Sequence, residues 1–168
     1  MKRIHVVLFL LFALKTASAQ STQSQSFDNR LRELLDFSIP TIDVTKAYEN
    51  SAEYIFLDAR ELVEYQISHI PGARYIGFDH FSPKHLKGID FDKNIIIYCS
   101  VGYRSEKLGE KLSRMGYKNV NNLYGSIFEW VNCELPVENG HGLATDSIHT
   151  YNSQWSKWVS NPKMNMVW

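Results

Sequence analysis

Neither sign of charge is in surplus in this chain. Its 18 basic and 18 acidic residues give a formal net charge of zero. A nucleic-acid partner is therefore not indicated, and no run of like charges suggests an interaction tail. No glycine-rich fingerprint follows a strand and no P-loop lysine is present, so the common nucleotide-phosphate loops are excluded. Metal-ligand spacing is also missing. His80 and His85 are five apart and His141 and His149 eight apart, with no cysteine pair beside them, so neither a metal nor another cofactor is expected. The longest apolar run, Val6–Leu14, is nine residues, well short of the roughly 20 that span a bilayer, so no stable membrane anchor is expected. No internal repeat is evident. Cysteine is scarce too: only Cys99 and Cys133 occur. One bridge at most can form, and it would consume the cysteine in the most distinctive loop. Cys99 is expected to be free and Cys133 to be buried as a small hydrophobe, with a regulatory bridge between them as the lesser alternative.

What the chain does contain is enough for one domain with a real core: 168 residues, 44% of them apolar. Lys2 and Arg3, the short apolar run and Ala17-Ser18-Ala19 have the form of a cleavable signal peptide over residues 1–19. Export to the periplasm or the outside is expected, and removal of the segment leaves a small acidic excess. Residues 20–26 are polar and read as a flexible leader. Asp28 is placed to cap a helix from about 29 to 37, with Leu31, Leu34 and Leu35 on one face. Together, residues 20–39 form a leader and N-terminal helix.

Strand and helix candidates then alternate. Thr41-Ile42, Tyr54–Asp58, Arg74–Ile76, Ile95–Ile97 and Val120–Tyr124 read as strands. Helical segments around 43–48, 61–67, 105–115 and 126–131 separate them. The alternation predicts an α/β fold: a central, mostly parallel five-stranded sheet with helices on both faces. Ligands bind beyond the carboxyl ends of such strands. Cys99 and Asp58 both stand there, close together if their strands are neighbours. After Pro136 the periodicity weakens. Residues 138–168 read as an aromatic extension, with Trp155, Trp158 and Val159 on one face of a short helix covering the domain.

The chemistry concentrates in Cys99-Ser100-Val101-Gly102-Tyr103-Arg104-Ser105, between an apolar strand and a helix start. Thiolate is the reactive form of cysteine, and helix-start amides with a nearby arginine favour it. Gly102 permits backbone dihedrals closed to other residues, so the loop can aim successive N–H groups at an anion. Arg104 is expected to hold or lure an anionic substrate, and Tyr103 to supply a wall or a hydroxyl. Asp58 and Arg60 are expected to be supporting residues: Asp58 orienting the active loop through backbone hydrogen bonds, Arg60 pairing with Glu64 across a helical turn. His69 reads as a structural hydrogen-bonder.

Leu57-Asp58-Ala59-Arg60-Glu61, Glu64-Tyr65, Ser68-His69-Ile70-Pro71-Gly72-Ala73 and the Ile96–Ser105 segment recur in an order that resembles the rhodanese domain. Gly125, Trp130 and Pro136 extend the likeness, which covers about residues 40–137. The resemblance implies a three-layer α/β domain and a single-domain sulfurtransferase. Cys99 would be its sulfur carrier, as a persulfide, and the backbone of Ser100–Ser105 its cradle. It also implies a small sulfur donor such as thiosulfate and a cyanide or thiol acceptor, a protein thiol among the options. A monomer is expected. The chain departs from the family at Ser68 and Ser126, where glycine is usual. Ser100 and Val101 are neutral where some thiosulfate-using members carry a second basic residue, which counts against thiosulfate as the physiological donor. Four residues separate Cys99 from Arg104. Cysteine phosphatases have five, so the loop favours a sulfur atom over phosphate. The alternative from another class is a non-catalytic binding or redox-sensing module.

Overall fold

The computed structural model describes residues 20–168; the expected signal peptide over residues 1–19 lies outside the described residues. The elements are α1 (Gln25–Leu34), β1 (Thr41–Ile42), α2 (Val44–Glu49), β2 (Ile55–Asp58), α3 (Leu62–Ile67), β3 (Arg74–Tyr75), β4 (Asn94–Tyr98), α4 (Tyr103–Arg114), β5 (Asn119–Leu123), α5 (Ser126–Asn132), β6 (Ser147–His149), α6 (Ser153–Ser156) and β7 (Asn165–Val167). The first five strands form one sheet in the order β1-β5-β4-β2-β3, and every pairing is parallel. This is the expected α/β architecture. The strands β2 and β4 are adjacent, with Asp58 opposite Tyr98.

Side chains on a strand alternate between faces, and β4 shows what that does. Ile96 and Tyr98 join a core with Phe27 and Leu31 of α1, Ala47 of α2 and Trp130 of α5. Ile95, Ile97 and Cys99 join the opposite core with Leu108 and Leu112 of α4. All three isoleucines are fully buried. A strand so covered on both faces has to be continuously apolar, as the sequence is here. The same alternation sends the Cys99 side chain to the α4 side of the sheet.

Several expected boundaries move. The first helix begins a turn earlier, at Gln25, because Ser24 rather than Asp28 caps it by accepting from the Phe27 amide. Asp28 instead accepts from the Thr22 amide (2.7 Å). The polar segment before the helix is not a free leader: the Gln23 amide donates to Glu129 Oε1 (2.7 Å) and Gln20 Nε2 to the Thr41 carbonyl (2.6 Å). The helix α4 starts at Tyr103 instead of 105, directly after Gly102, whose φ of 118° turns the chain.

The C-terminal segment wraps the domain. His69 and Glu138 exchange backbone hydrogen bonds (2.8 and 2.9 Å). Ile148 of β6 is fully buried in the core, and Trp158 stacks on Phe27 at 5.3 Å. Asn132 Nδ2 donates to the Trp158 carbonyl (2.9 Å) and Asn161 Nδ2 to that of Val131 (2.7 Å). The expected single apolar helix face does not form. The helix α6 has only four residues, and Trp158 and Val159 lie beyond its end. Among the described residues no helix is long and apolar enough to cross a membrane.

Candidate active site

Cys99 directly follows β4, and its residue is only 1% exposed. The loop folds back so that the Gly102 N–H donates to Cys99 Sγ at 3.1 Å. The thiol is thus lodged at the base of its own loop, not in a shallow surface pocket. Burial by itself would raise its pKa. The Arg104 guanidinium, the Ser105 hydroxyl and the amides of Ser105 and Gly102 oppose that and bring it below the ordinary thiol value. The amide of Cys99 donates to Ser126 Oγ (3.2 Å), which itself donates to the Leu123 carbonyl (3.2 Å). A hydroxyl therefore does local work at a position where the sequence pattern suggested glycine. Ser126 takes a positive φ of 54° to do it.

The supporting contacts differ from expectation. Glu64 does not pair with Arg60. Its two oxygens receive Arg104 Nη1 and Nη2 at 2.7 and 2.8 Å, in a forked pair joining α3 to α4. Arg104 Nη2 also donates to Ser100 Oγ (3.0 Å), whose hydroxyl donates to Glu64 Oε1 (3.2 Å). The arginine expected to be open to substrate is committed to a carboxylate. Burial disfavours ionisation of Glu64, but Arg104, Arg60 and the Glu61 amide outweigh it and lower its pKa. Burial also opposes the charge of Arg104, which Glu64 and Cys99 hold in place.

Arg60 pairs instead with Asp58, its near neighbour at the end of β2. The two are wholly buried, with Nη2 to Oδ2 at 2.6 Å and Nε to Oδ1 at 3.0 Å. Asp58 also accepts from the Arg60 amide (2.8 Å). Its carboxylate shapes the turn after β2 rather than orienting the Cys99 loop. Arg60 Nη1 is buried without a partner.

Of the remaining loop residues, Val101 is buried and Tyr103 is exposed, with Lys107 Nζ 5.9 Å from its ring. Ser105 is buried, its hydroxyl reaching Asn122 Oδ1 (2.7 Å) and the Gly102 carbonyl (3.1 Å). Asn122 Nδ2 donates to the same carbonyl (3.0 Å). Sequence reasoning missed Asn122. Three of the five residues of β5 are asparagine, so nothing in the sequence singled this one out; only its zero exposure in the fold does. His69 bonds the Tyr65 carbonyl through Nδ1 (2.9 Å), stacks on the Tyr65 ring and approaches Glu138.

Cys133 is half-buried rather than fully so, and both cysteines are free. Burial, with Glu129 beside it, pushes the Cys133 thiol up to about 11. Among the described residues, no group of three or more His, Cys, Asp or Glu is arranged to hold a metal ion.

A cleft of about 320 Å³ opens over Cys99, lined by Ser100, Val101, Tyr103 and Arg104 of the loop, Leu34, Glu61, Phe78, Asp79, and Tyr151 and Trp155 from the C-terminal segment. The Tyr151 ring lies 5.6 Å from the Arg104 guanidinium. These two aromatics were read from sequence as surface cover; they also wall the cleft.

Residues 41–133 match the family model described as Rhodanese-like domain. The chain is similar to a tRNA uridine(34) hydroxylase of Pectobacterium atrosepticum, 31% identical over 93 residues, covering 52% of this chain and 26% of that protein. A protein of the same name from Erwinia tasmaniensis is 34% identical over 83 residues, covering 46% and 24%. The chain thus spans about a quarter of the length of these curated relatives. A rhodanese-related protein from Thermoplasma volcanium superposes with a TM-score of 0.55 at 30% identity, over 60% of this chain and 98% of that one. A thiosulfate sulfurtransferase from Pseudomonas aeruginosa gives 0.53 at 24%, over 60% and 20%, a likeness of fold alone.

Proposed function

Because this chain belongs to the rhodanese-like domain family, we propose that it is a sulfurtransferase that moves sulfane sulfur through a persulfide on Cys99. The observation that carries the reading is the thiol itself. Cys99 Sγ receives the Gly102 N–H at 3.1 Å, and its pKa is lowered despite full burial. A thiolate held by fixed donors is a prepared nucleophile.

In the first half-reaction the Cys99 thiolate attacks the sulfane sulfur of the donor. The bond from Sγ to that sulfur forms, and the donor's own bond to it breaks. The donor remnant leaves with the electron pair, as sulfite from thiosulfate or as a thiolate from an organic persulfide. In the second, an acceptor thiolate or cyanide attacks the outer sulfur and Sγ leaves as thiolate. No net electrons are gained or lost by the protein. The loop amides hold the negative charge at each stage. Arg104, tied to Glu64, supports the anion from a fixed distance.

The similarity to the Pectobacterium protein spans 26% of that protein, so its named activity is not carried over here. The charged start and short apolar run of residues 1–19 support export. Two-substrate kinetics test the function. Initial rates of thiocyanate formation from a sulfane donor and cyanide are expected to give the parallel lines of a ping-pong mechanism, with Cys99→Ser inactive. Activity retained by Cys99→Ser would overturn Cys99 as the carrier, and no activity in the unaltered protein would leave a binding module.

A further inference from the structure

Among the described residues, no cation that lines the cleft over Cys99 is free of a carboxylate partner. Arg104 lines it, but Nη1 and Nη2 both bond Glu64, Nη2 also bonds Ser100, and the Tyr151 ring lies 5.6 Å from the guanidinium. Lys107, close by on α4, is tied to Asp36 (2.6 Å) and Glu110 (3.1 Å). Arg30 is paired with Glu33 (3.3 Å) and sits 5.8 Å from the Trp155 ring. Two acids line the cleft instead, Glu61 and Asp79, with the Asp79 amide donating to Glu61 Oε1 (3.3 Å). A dianion approaching Cys99 meets a neutralised arginine and two carboxylates.

The rest of the wall is apolar and comes from separate segments: Leu34 of α1, Phe78 after β3, Val101 and Tyr103 of the loop, Tyr151 and Trp155 of the C-terminal segment. Tyr151 is held in place at a positive φ of 66°, its amide donating to His149 Nδ1 (3.1 Å). The next residue, Asn152, caps α6 and accepts from the Trp155 amide (3.2 Å). The space of about 320 Å³ is large for one sulfur atom and sits at the lower end of volumes that enclose organic ligands.

We propose that the donor is an organic hydropersulfide with an uncharged or cationic, apolar or aromatic body, which Leu34, Phe78, Tyr151 and Trp155 grip while its terminal sulfur reaches Cys99. This rests on the sulfurtransferase reading above. The step balances: Sγ bonds to the terminal SH sulfur, the S–S bond of the donor breaks, and the organic thiolate leaves and takes a proton from water.

The test uses benzyl hydropersulfide and thiosulfate as probes. Sulfur loading of Cys99 is followed by intact-protein mass, and each rate is divided by that of the same probe with an uncharged cysteine ester in solution. The expected result is a larger normalised rate for benzyl hydropersulfide. Trp155→Ala and Phe78→Ser, on separate segments, are each expected to reduce that preference roughly three- to tenfold. Glu61→Gln with Asp79→Asn is expected to raise thiosulfate loading roughly two- to fivefold. Equal or greater normalised loading by thiosulfate, or a preference untouched by both wall variants, overturns the substrate class and leaves the persulfide reading standing. Loading of Cys99 by neither probe overturns both.

Discussion

Cys99 and Cys133 share a side chain and differ in what surrounds it. Donors and a guanidinium face the first; a carboxylate, Glu129, faces the second, 3.7 Å away. Cys99 is expected to titrate below an ordinary thiol, and Cys133 at about 11. The pH dependence of thiolate absorbance, compared in Cys99→Ser and Cys133→Ser, checks both. Sulfur loading follows the thiolate, so it is expected to be full above the Cys99 midpoint and lost as pH falls through it. Arg104→Ala removes the largest opposing influence to burial and is expected to raise that midpoint; an unmoved midpoint would mean the Ser105 hydroxyl and the loop amides set it. Glu64 has the other sign of consequence. Its folded pKa lies below the ordinary carboxylate value, so it contributes stability above the unfolded pKa and loses it as pH falls through the folded one. Glu64→Gln leaves Arg104 without its partner and is expected to cost about 3 kcal/mol at neutral pH. Urea unfolding of both proteins across the acid range is expected to show the gap closing as Glu64 protonates.

At the scale of elements, the turn from β4 into α4 depends on Gly102. Its φ of 118° is closed to ordinary side chains, and an added Cβ would meet Leu35 and Asn122 at 3.4–3.5 Å. Gly102→Ala is expected to cost about 1–3 kcal/mol and to abolish most sulfur loading by moving the amide off Sγ. Denaturation and loading measured on the same sample separate the two effects. This turn was legible in the sequence because Cys99, Gly102 and the helix start lie within a few residues of one another. The strands β2 and β4 were legible because burial on both faces demands continuous apolar residues. The start of α1 was misread, since Ser24 and Asp28 are both competent caps. Phe27 decides between them by extending the Leu31 and Leu35 stripe back one turn. The Glu64–Arg104 pair was not legible. Its members lie 40 residues apart, and only the adjacency of β2 and β4 brings α3 beside the loop.

On the scale of the whole molecule, the chain from Val137 onward is part of the fold and of the cleft. Trp158 closes the core over Phe27, and its change to Ala is expected to cost about 2 kcal/mol in thermal or chemical unfolding. Tyr151 and Trp155, a few residues earlier, reach the cleft. Their aromatic character was plain in the sequence, but their placement was not, because no periodic pattern ties residues 138–168 to the domain. The sheet supplies the rest of the arrangement: parallel strands end together, and Asp58, Cys99 and the turn after β5 meet at that edge. The persulfide on Cys99 is the claim on which the chemistry stands. Protein exposed to one equivalent of a sulfane donor, digested without reductant and mapped by mass, is expected to carry a single added sulfur on the peptide containing Cys99. Added sulfur on the Cys133 peptide alone, or on neither, would contradict it.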